Sequence, residues 1–386
     1  MSPPPCSTPC LFSRLARWIK AMAKGARHGY TTGACAAAAA KGAALLLQRQ
    51  RQVDVVTIVL PGGEVVPFAL HGQIFESAQA SCFVVKDAGD DPDVTNGCEV
   101  WAKVQRLPGA AVVITGGIGI GRVTKPGLAV IVGAWAINPV PQAMITAALR
   151  EVFPTGGVQV EISIPDGVDR AQRTLNARLG ILGGLSILGT TGIVKPISHQ
   201  AWTDTLDAAL DVACACGQRT IVLSTGRTSE MVVQRALAKA GISLGEEAFI
   251  MMGDHVGYAL RACARRNIAT IILAGQFAKL LKIACCHEQT HVSASRLDLH
   301  AVTSWLRVEN FPTATIKLAE RANTARHLLA DCGTAAPALC ALICDRAQKF
   351  AQSFAPATEI QVFLAGYDGE VLYFSGQDQL QPRITV

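Results

Sequence analysis

The regular alternation of short apolar runs with helical segments in the second half of the chain most constrains how this sequence can fold. Strands are predicted at Thr220–Leu223, Ala248–Met251 and Ile268–Leu273, and helical segments separate them. Parallel strands joined by right-handed crossovers carry helices on both faces of their sheet. The pattern therefore predicts, over residues 200–386, a three-layer α/β domain with a mainly parallel sheet.

The sequence before residue 200 follows a different pattern. An alanine-rich helix is predicted over Ala34–Leu47 and a strand near Val53–Leu60, and short apolar runs interrupted by Gly and Pro follow. Residues 27–199 are therefore predicted to form an α+β domain. Residues 1–26 are predicted to be an N-terminal arm, because their scattered Arg and Lys residues leave no uninterrupted apolar stretch for a signal peptide.

The composition argues against several classes of function. The net charge is only +6 and aromatic residues make up 5% of the chain, so nucleic acid is not an expected partner. Residues 126–149 carry no charge, but Pro139 and Pro141 would break a membrane-spanning helix, so this segment is predicted to be buried core rather than a membrane anchor. The 13 cysteines are an odd, irregularly spaced set, which predicts reduced thiols and a cytoplasmic protein. The sequence leaves open whether the protein is a homo-oligomer.

The first candidate binding motif is Gly29-Tyr30-Thr31-Thr32-Gly33, directly before the alanine-rich helix. Thr31 or Thr32 can cap this helix, and backbone N–H groups at its start would then face outward and bind a carboxylate or phosphate. The alternative interpretation is an ordinary helix cap without a ligand.

The second candidate motif, Lys86-Asp87-Ala88-Gly89-Asp90-Asp91-Pro92-Asp93, places four carboxylates within seven positions. Clustered acids raise each other's pKa, so Asp90 or Asp91 is a candidate general base. The alternative is a turn whose Asp side chains only satisfy the local backbone.

Further candidate groups lie later in the chain. Arg170, Arg173 and Arg178 precede a glycine-rich run and Lys195 follows it, and guanidinium groups bind carboxylates through paired hydrogen bonds. The alternative is that these are solvated surface residues. His291 is a candidate base at physiological pH.

The sequence predicts no metal site. Cys285-Cys286-His287 with His291 resembles half of a zinc site, but the cysteine spacing of structural zinc sites is missing. These cysteines are therefore predicted to be core thiols.

The carboxyl ends of the predicted parallel strands carry small and polar residues. Gly226 follows the first strand, Asp254 follows the second and Gly275 follows the third. Because ligands of such sheets bind outside these strand ends, the three residues are candidates for cofactor binding.

Four longer motifs occur in order along the chain and together resemble the signature of the CbiD family. They are Tyr30-Thr31-Thr32-Gly33-Ala34-Cys35-Ala36-Ala37-Ala38, Lys86-Asp87-Ala88-Gly89-Asp90-Asp91-Pro92-Asp93-Val94-Thr95, Ala136-Ile137-Asn138-Pro139-Val140-Pro141, and Leu179-Gly180-Ile181 continuing to Ile187-Leu188-Gly189-Thr190-Thr191-Gly192-Ile193-Val194. The resemblance covers about residues 27–300. It implies an S-adenosylmethionine-dependent methyltransferase that acts on C1 of cobalt-precorrin-5B, a polycarboxylate tetrapyrrole, in anaerobic cobalamin biosynthesis. Cobalt then enters only as part of the substrate.

The resemblance also implies roles for the candidate residues. Residues 27–199 would bind the tetrapyrrole, whose carboxylates Thr31, Thr32, Arg173, Arg178 and Lys195 would hold. Residues 200–386 would bind S-adenosylmethionine near Gly226, Asp254 and Gly275. Asp90, Asp91 or His291 would be the base, and the acids of the second motif would face the cationic sulfonium or a leaving proton.

The chain departs from the family pattern at several positions. It has Ile118 and Ala134 where the family has acids, and Gln276 where the family has histidine, although Lys279, Thr290 and His291 match. Two other functions stay open from the sequence: a non-catalytic tetrapyrrole-binding protein, and a nucleotide-using small-molecule kinase.

Overall fold

The computed structural model describes residues 25–196 and 198–376, and they form two compact units. Among these residues, unit 1 contains residues 25–125, 129–196 and 198, and unit 2 contains residues 126–128 and 199–376. Both units mix helices with strands, and parallel sheet segments are present. The predicted mixed α/β class is therefore confirmed. The predicted N-terminal arm lies outside the described residues, except for its last two.

Unit 1 is built from a five-stranded sheet, three small strand pairs and three helices among the described residues. Its strands are β1 (Gly29–Tyr30), β2 (Val55–Val59), β3 (Val65–Ala69), β4 (His71–Phe75), β5 (Gln79–Val85), β6 (Glu99–Leu107), β7 (Val112–Gly116), β8 (Arg122–Val123), β9 (Gly157–Ser163), β10 (Ile181–Leu182) and β11 (Ile193–Val194). Its helices are α1 (Thr32–Arg49), α2 (Pro139–Val152) and α3 (Gly167–Ala171). The large sheet has the order β4-β5-β6-β9-β7 and is antiparallel except between β7 and β9.

Helix α1 forms the centre of unit 1. Its alanines favour a helix, the Thr31 side chain caps its start, and Gln50 ends it in a left-handed conformation. Fourteen of the 18 residues of the helix are buried, because the sheet, the β2–β3 hairpin and α2 surround it and their apolar side chains join it in one core. The predicted helix over Ala34–Leu47 is confirmed and extends slightly beyond both predicted ends.

The prediction that residues 126–149 are buried core is only partly right. Ile145 and Leu149 of α2 are fully buried in the core of unit 1. Ile131, in the turn before this helix, is 79% exposed. The absence of charges therefore marked a core helix preceded by an exposed apolar turn.

Unit 2 contains the second five-stranded sheet and the remaining described helices. Its strands are β12 (Thr220–Ser224), β13 (Phe249–Met251), β14 (Thr270–Gln276), β15 (Glu359–Ala365) and β16 (Val371–Phe374). Its helices are α4 (His199–Ala215), α5 (Arg227–Lys239), α6 (Val256–Arg265), α7 (Phe277–Ala284), α8 (Leu299–Val308), α9 (Thr313–Arg321), α10 (Ala325–Asp331) and α11 (Ala336–Gln352).

The sheet of unit 2 has the order β13-β12-β14-β15-β16, and only β16 runs antiparallel to its neighbour. Alternate residues of β12 face opposite sides, as in any strand. Ile221 and Leu223 join the core formed with α4, α6, α7 and α11, whereas Val222 joins the core formed with α5. Helices therefore cover both faces of this sheet.

Two further predictions concern membranes and cysteines. Within the described residues, no single helix has the length and apolar character to cross a membrane. One bent pair of helices, Ala325–Asp331 with Gly333–Gln352, passes that test by length and composition only. The cysteines of the same residues are free thiols, and burial raises the pKa of Cys35 to about 12.

Candidate functional site

The start of helix α1 is closed by the segment that contains residues 186–192. The N–H groups of Thr31 and Gly33 donate to the carbonyls of Gly192 and Leu188, at 3.0 and 3.1 Å. The Ala34 N–H donates to the Thr31 hydroxyl at 3.2 Å. The expectation that the N–H groups at this helix start face outward is therefore wrong for Gly33 and Ala34, because the glycine-rich segment and the cap already satisfy them.

The two threonines of this motif are buried, with 7% and 3% of Thr31 and Thr32 exposed. The Thr32 hydroxyl accepts a hydrogen bond from the Leu188 N–H at 3.0 Å. It also lies 3.4 Å from the carbonyl of Ser186. Both hydroxyls thus hold backbone, and their predicted contact with substrate stays a prediction.

The chain before α1 lies directly against the acidic motif, residues 86–97, which we call the acidic loop. The Tyr30 N–H donates to the Asp87 carbonyl at 2.7 Å. A Cβ atom on Gly29 would lie 2.0 Å from the carbonyl carbon of Ala88, and Gly89 has a φ of +67°. Only glycine fits such a backbone approach and such a φ, so these glycines join the helix start to the acidic loop.

Arg27 binds the acidic loop at two of its carboxylates. Its guanidinium forms two hydrogen bonds with Asp87, of which the second measures 2.9 Å, and its backbone N–H donates to Oδ2 of Asp90 at 2.7 Å. The hydrogen bonds from Arg27 hold the pKa of Asp87 below its usual value. Asp90 itself is exposed, and Asp91 is partly exposed.

Lys86 binds the other end of the acidic loop from inside the protein. Its side chain is 1% exposed, and its Nζ lies 2.6 Å from Oδ2 of Asp93. The second oxygen of Asp93 accepts hydrogen bonds from the N–H and hydroxyl of Thr95 at 2.7 and 2.6 Å. Burial acts to raise the pKa of Asp93, but Lys86 and Thr95 outweigh it, and the pKa is lowered. The four acids were expected to raise each other's pKa. That expectation is wrong for Asp87 and Asp93, because Arg27 and Lys86 bind them and lower their pKa.

The four basic residues predicted around the glycine-rich run have different surroundings in the structure. Arg170 donates to the carbonyls of Val94 and Asn96 at 2.5 and 3.0 Å and pairs with Asp166, so it supports the acidic loop. Arg173 and Lys195 are exposed, and Arg178 is partly exposed. The predicted role of these three in binding carboxylates stays a prediction.

In unit 2, the predicted cofactor residues lie at the carboxyl edge of the parallel sheet. Helix α5 follows β12 and covers one face, whereas α6 follows β13 and covers the other. The direction of the connections thus reverses between β12 and β14, and such a point forms a crevice that binds ligands. Gly226 caps α5 without a side-chain bond, and open space surrounds the position of its missing Cβ. Gly275 lies within β14, where a Cβ would be 3.1 Å from Leu280.

Asp254 is the centre of a hydrogen-bonded group at this edge, which we call the Asp254 centre. Its Oδ1 binds Lys279 and accepts the Thr290 hydroxyl at 2.5 Å. The carbonyl of Thr290 accepts Nζ of Lys282 at 2.8 Å. Burial acts to raise the pKa of Asp254, but the hydrogen bonds from Lys279 and Thr290 and the nearby His291 lower it.

A stack of rings adjoins the Asp254 centre. His255 lies 5.3 Å from His199 and 6.1 Å from Trp202, measured between ring centroids. Burial and the neighbouring His199 lower the pKa of His255. No group of three or more His, Cys, Asp or Glu residues that could hold a metal occurs in residues 25–196 and 198–376, so Cys285, His287 and His291 are not brought together as one.

Sequence reasoning missed the residues that organise these sites. In the sequence Lys86 is the start of an acidic motif, yet it also continues the alternation of Cys82 and Val84, two buried positions of β5. That period of two predicts an inward side chain and could have identified it. No sequence signal joins Arg27 to Asp87 or Lys282 to Thr290.

Family models match both parts of this chain. The model described as CbiD matches residues 19–196, and the model described as the CbiD C-terminal domain matches residues 289–376. The chain belongs to the CbiD family, which confirms the resemblance drawn from the four motifs.

Two of the most similar relatives carry the same name. A protein of Geobacter sulfurreducens is 61% identical over 358 residues, which cover 90% of this chain and 98% of the relative. One of Geobacter metallireducens is 59% identical, covering 91% and 99%. Both are named cobalt-precorrin-5B C(1)-methyltransferase.

A solved structure of a cobalamin biosynthesis protein (CbiD) from Archaeoglobus fulgidus is 26% identical to this chain. The match covers 74% of this chain and 85% of the other, with a TM-score of 0.35.

Proposed function

We propose that this chain is a methyltransferase that moves a methyl group from S-adenosylmethionine to C1 of cobalt-precorrin-5B. The observation that carries the proposal is the 61% identity, over 90% of this chain, to a relative that bears the name of this activity. The site geometry supports it, since a candidate base and a candidate cofactor crevice are both present.

Unit 1 would hold the tetrapyrrole. Arg173, Arg178 and Lys195 are the cations that we assign to its carboxylates, because guanidinium and ammonium groups bind carboxylates strongly. Thr31 and Thr32 would contribute mainly by fixing the segment around Leu188, since their hydroxyls already hold backbone. The substrate-binding role of unit 1 is part of the proposal.

Unit 2 would hold the methyl donor at the carboxyl edge of its parallel sheet. The open space beside Gly226 and the start of α5, which has no side-chain cap, leave room for a polar part of such a ligand. Gly275 leaves the end of β14 without a side chain, and Asp254 lies after β13. When bound, S-adenosylmethionine would supply an electrophilic methyl group.

The task of the chain is then alignment and proton balance. Holding the ring carbon in line with the methyl group can supply roughly 7–11 kcal/mol of the barrier reduction. Asp90 or Asp91 would accept the proton that leaves after the new C–C bond forms. Asp90 suits this role because Arg27 holds one of its oxygens at 2.7 Å while its side chain stays exposed.

Mass spectrometry of the full-length protein incubated with S-adenosylmethionine and cobalt-precorrin-5B tests the proposal. The tetrapyrrole should gain one methyl group, and S-adenosylhomocysteine should form in equal amount. Tight tetrapyrrole binding without S-adenosylhomocysteine would indicate a carrier instead. We also expect a cytoplasmic location, which fractionation of cells that express the protein would test.

A further inference from the structure

The Asp254 centre carries more positive than negative charge. Nζ of Lys279 and Nζ of Lys282 both approach the carbonyl of Thr290, at 3.5 and 2.8 Å. Asp254 pairs with Lys279, and within the described residues no ion pair joins Lys282 to an acid. One carboxylate thus faces two ammonium groups, so the centre can accept a further anionic group.

Lys282 shows the effect of this imbalance. It is partly buried, and burial lowers its pKa. The neighbouring Lys279 lowers the pKa further, and Asp254 only partly opposes both. A half-buried cation beside a like charge is unfavourable, and an anion bound next to it would relieve the repulsion.

The ring of His291 is oriented to donate a hydrogen bond. The Ser293 N–H donates to Nδ1 of His291 at 3.3 Å, and the Ser293 hydroxyl lies 2.7 Å from the same atom. Because a backbone N–H can only donate, Nδ1 is an acceptor and the neutral ring carries its proton on Nε2. The exposed ring therefore offers an N–H at Nε2, whereas a general base would need a lone pair there.

These groups lie where a ligand of unit 2 is expected. Asp254 follows β13, and Lys279 lies in the first turn of α7, directly after β14. Both positions are at the carboxyl edge of the parallel sheet, where ligands of such sheets bind.

We propose that Lys282 and His291, supported by Lys279, form a binding site for a carboxylate group of a ligand. The inference rests on the proposed function and deepens it. Two ligands of that reaction carry carboxylates: the amino-acid part of the methyl donor and the side arms of the tetrapyrrole. The site makes His291 a binding residue rather than the base.

Two substitutions of His291 separate a hydrogen-bond donor from a base. His291→Gln keeps an N–H donor near the position of Nε2, whereas His291→Asn keeps a polar group only near Nδ1. Losing one charge-assisted hydrogen bond should weaken binding of the carboxylate ligand about tenfold in His291→Asn. The glutamine variant should lose less than about threefold, because it retains the donor.

Titration calorimetry with the full chain identifies which ligand supplies the carboxylate. S-adenosylhomocysteine, decarboxylated S-adenosylmethionine and cobalt-precorrin-5B serve as probes. If the donor supplies it, His291→Asn weakens only S-adenosylhomocysteine binding, and the decarboxylated probe is insensitive to the substitution. If the tetrapyrrole supplies it, His291→Asn weakens only cobalt-precorrin-5B binding.

Lys282→Met and Lys282→Arg provide a second pair, since the first removes the charge and the second keeps it. The methionine variant should weaken the same ligand as His291→Asn, and the arginine variant should restore most of the affinity. Unchanged affinities in His291→Asn and Lys282→Met would overturn the proposal. Equal loss of turnover in both His291 variants, with intact binding, would also overturn it in favour of a base. The binding result does not depend on wild-type turnover, whose absence would instead contradict the proposed function.

Discussion

The acidic loop of unit 1 and the Asp254 centre of unit 2 both pair a carboxylate with a lysine, but their charges are balanced in opposite ways. In the loop, Lys86 is 1% exposed and four aspartates follow it within seven positions. In the Asp254 centre, Lys279 is 34% exposed, and Lys282 adds a second cation. The same pair of groups therefore fixes a loop from its buried side in one unit and leaves an accessible positive site in the other.

The difference in exposure between the two lysine–aspartate pairs changes what each pair can do. A lysine without access to water needs its partner, so the Lys86–Asp93 pair fixes the fold of the loop that carries Asp90 and Asp91. A lysine at the surface is solvated and can exchange its partner for a ligand. We therefore expect catalysis to depend on the first region and carboxylate binding on the second.

The largest expected effect is on turnover, from the exposed acids of the loop. Asp90→Asn and Asp91→Asn keep the shape and remove the charge. In the variant that removes the base, turnover should fall by about 10²–10⁴-fold while both ligands still bind. Steady-state kinetics with calorimetric binding checks this. Unchanged turnover in both variants would reject the base assignment and leave the loop as a structural turn.

The second effect is on stability, from the buried lysine. Lys86→Met leaves the carboxylate of Asp93 without its cation and should lower the free energy of unfolding by about 3 kcal/mol. The double variant Lys86→Met/Asp93→Asn should recover part of this loss. Lys103→Met is the matched control, because Lys103 is 49% exposed in its pair with Glu161. Denaturant unfolding measures all three, and equal losses in Lys86→Met and Lys103→Met would contradict the buried role.

A smaller loss in the free energy of unfolding is expected when the ion pair of the Asp254 centre is broken. Asp254→Asn weakens the bonds to Lys279 and Thr290, and we expect a loss of about 1–2 kcal/mol, since water reaches the site. Asp331→Asn, in the exposed pair with His327, is the control and should change stability little. A loss in Asp254→Asn as large as that in Lys86→Met would remove the contrast between the two regions.

The smallest expected effect is on how the free energy of unfolding depends on pH in the acid range. The pKa values of Asp93 and Asp254 are both lowered in the folded chain. Their stabilisation is therefore fully present above the unfolded pKa of about 3.9 and is lost as the pH falls through the lower folded values. Unfolding curves should not lose this contribution between about pH 7 and pH 5, and should lose it below about pH 4. Asp93→Asn and Asp254→Asn should each remove part of that acid sensitivity, and variants as acid-sensitive as the wild type would contradict this account.

The sequence by itself determined the family, the mixed α/β class and the main elements. Alanine-rich and alternating apolar patterns identified α1, β12 and β13 because these elements are specified by local propensity and burial. The ends of strands depend on more than these patterns. The third strand was expected over Ile268–Leu273 and forms over Thr270–Gln276, since backbone pairing with β15 decides where it ends.

Only the tertiary structure decided which polar groups already have a hydrogen-bond or ion-pair partner within the protein. The sequence shows that Thr31 precedes a helix, but not that Leu188, more than a hundred and fifty residues away, accepts the Gly33 N–H. It shows four clustered acids, but not that Arg27 and Lys86 lower the pKa of two of them. Hydrogen bonds and ion pairs between distant segments form only after the backbone has folded, because propensity and spacing act over a few residues while charges act through space.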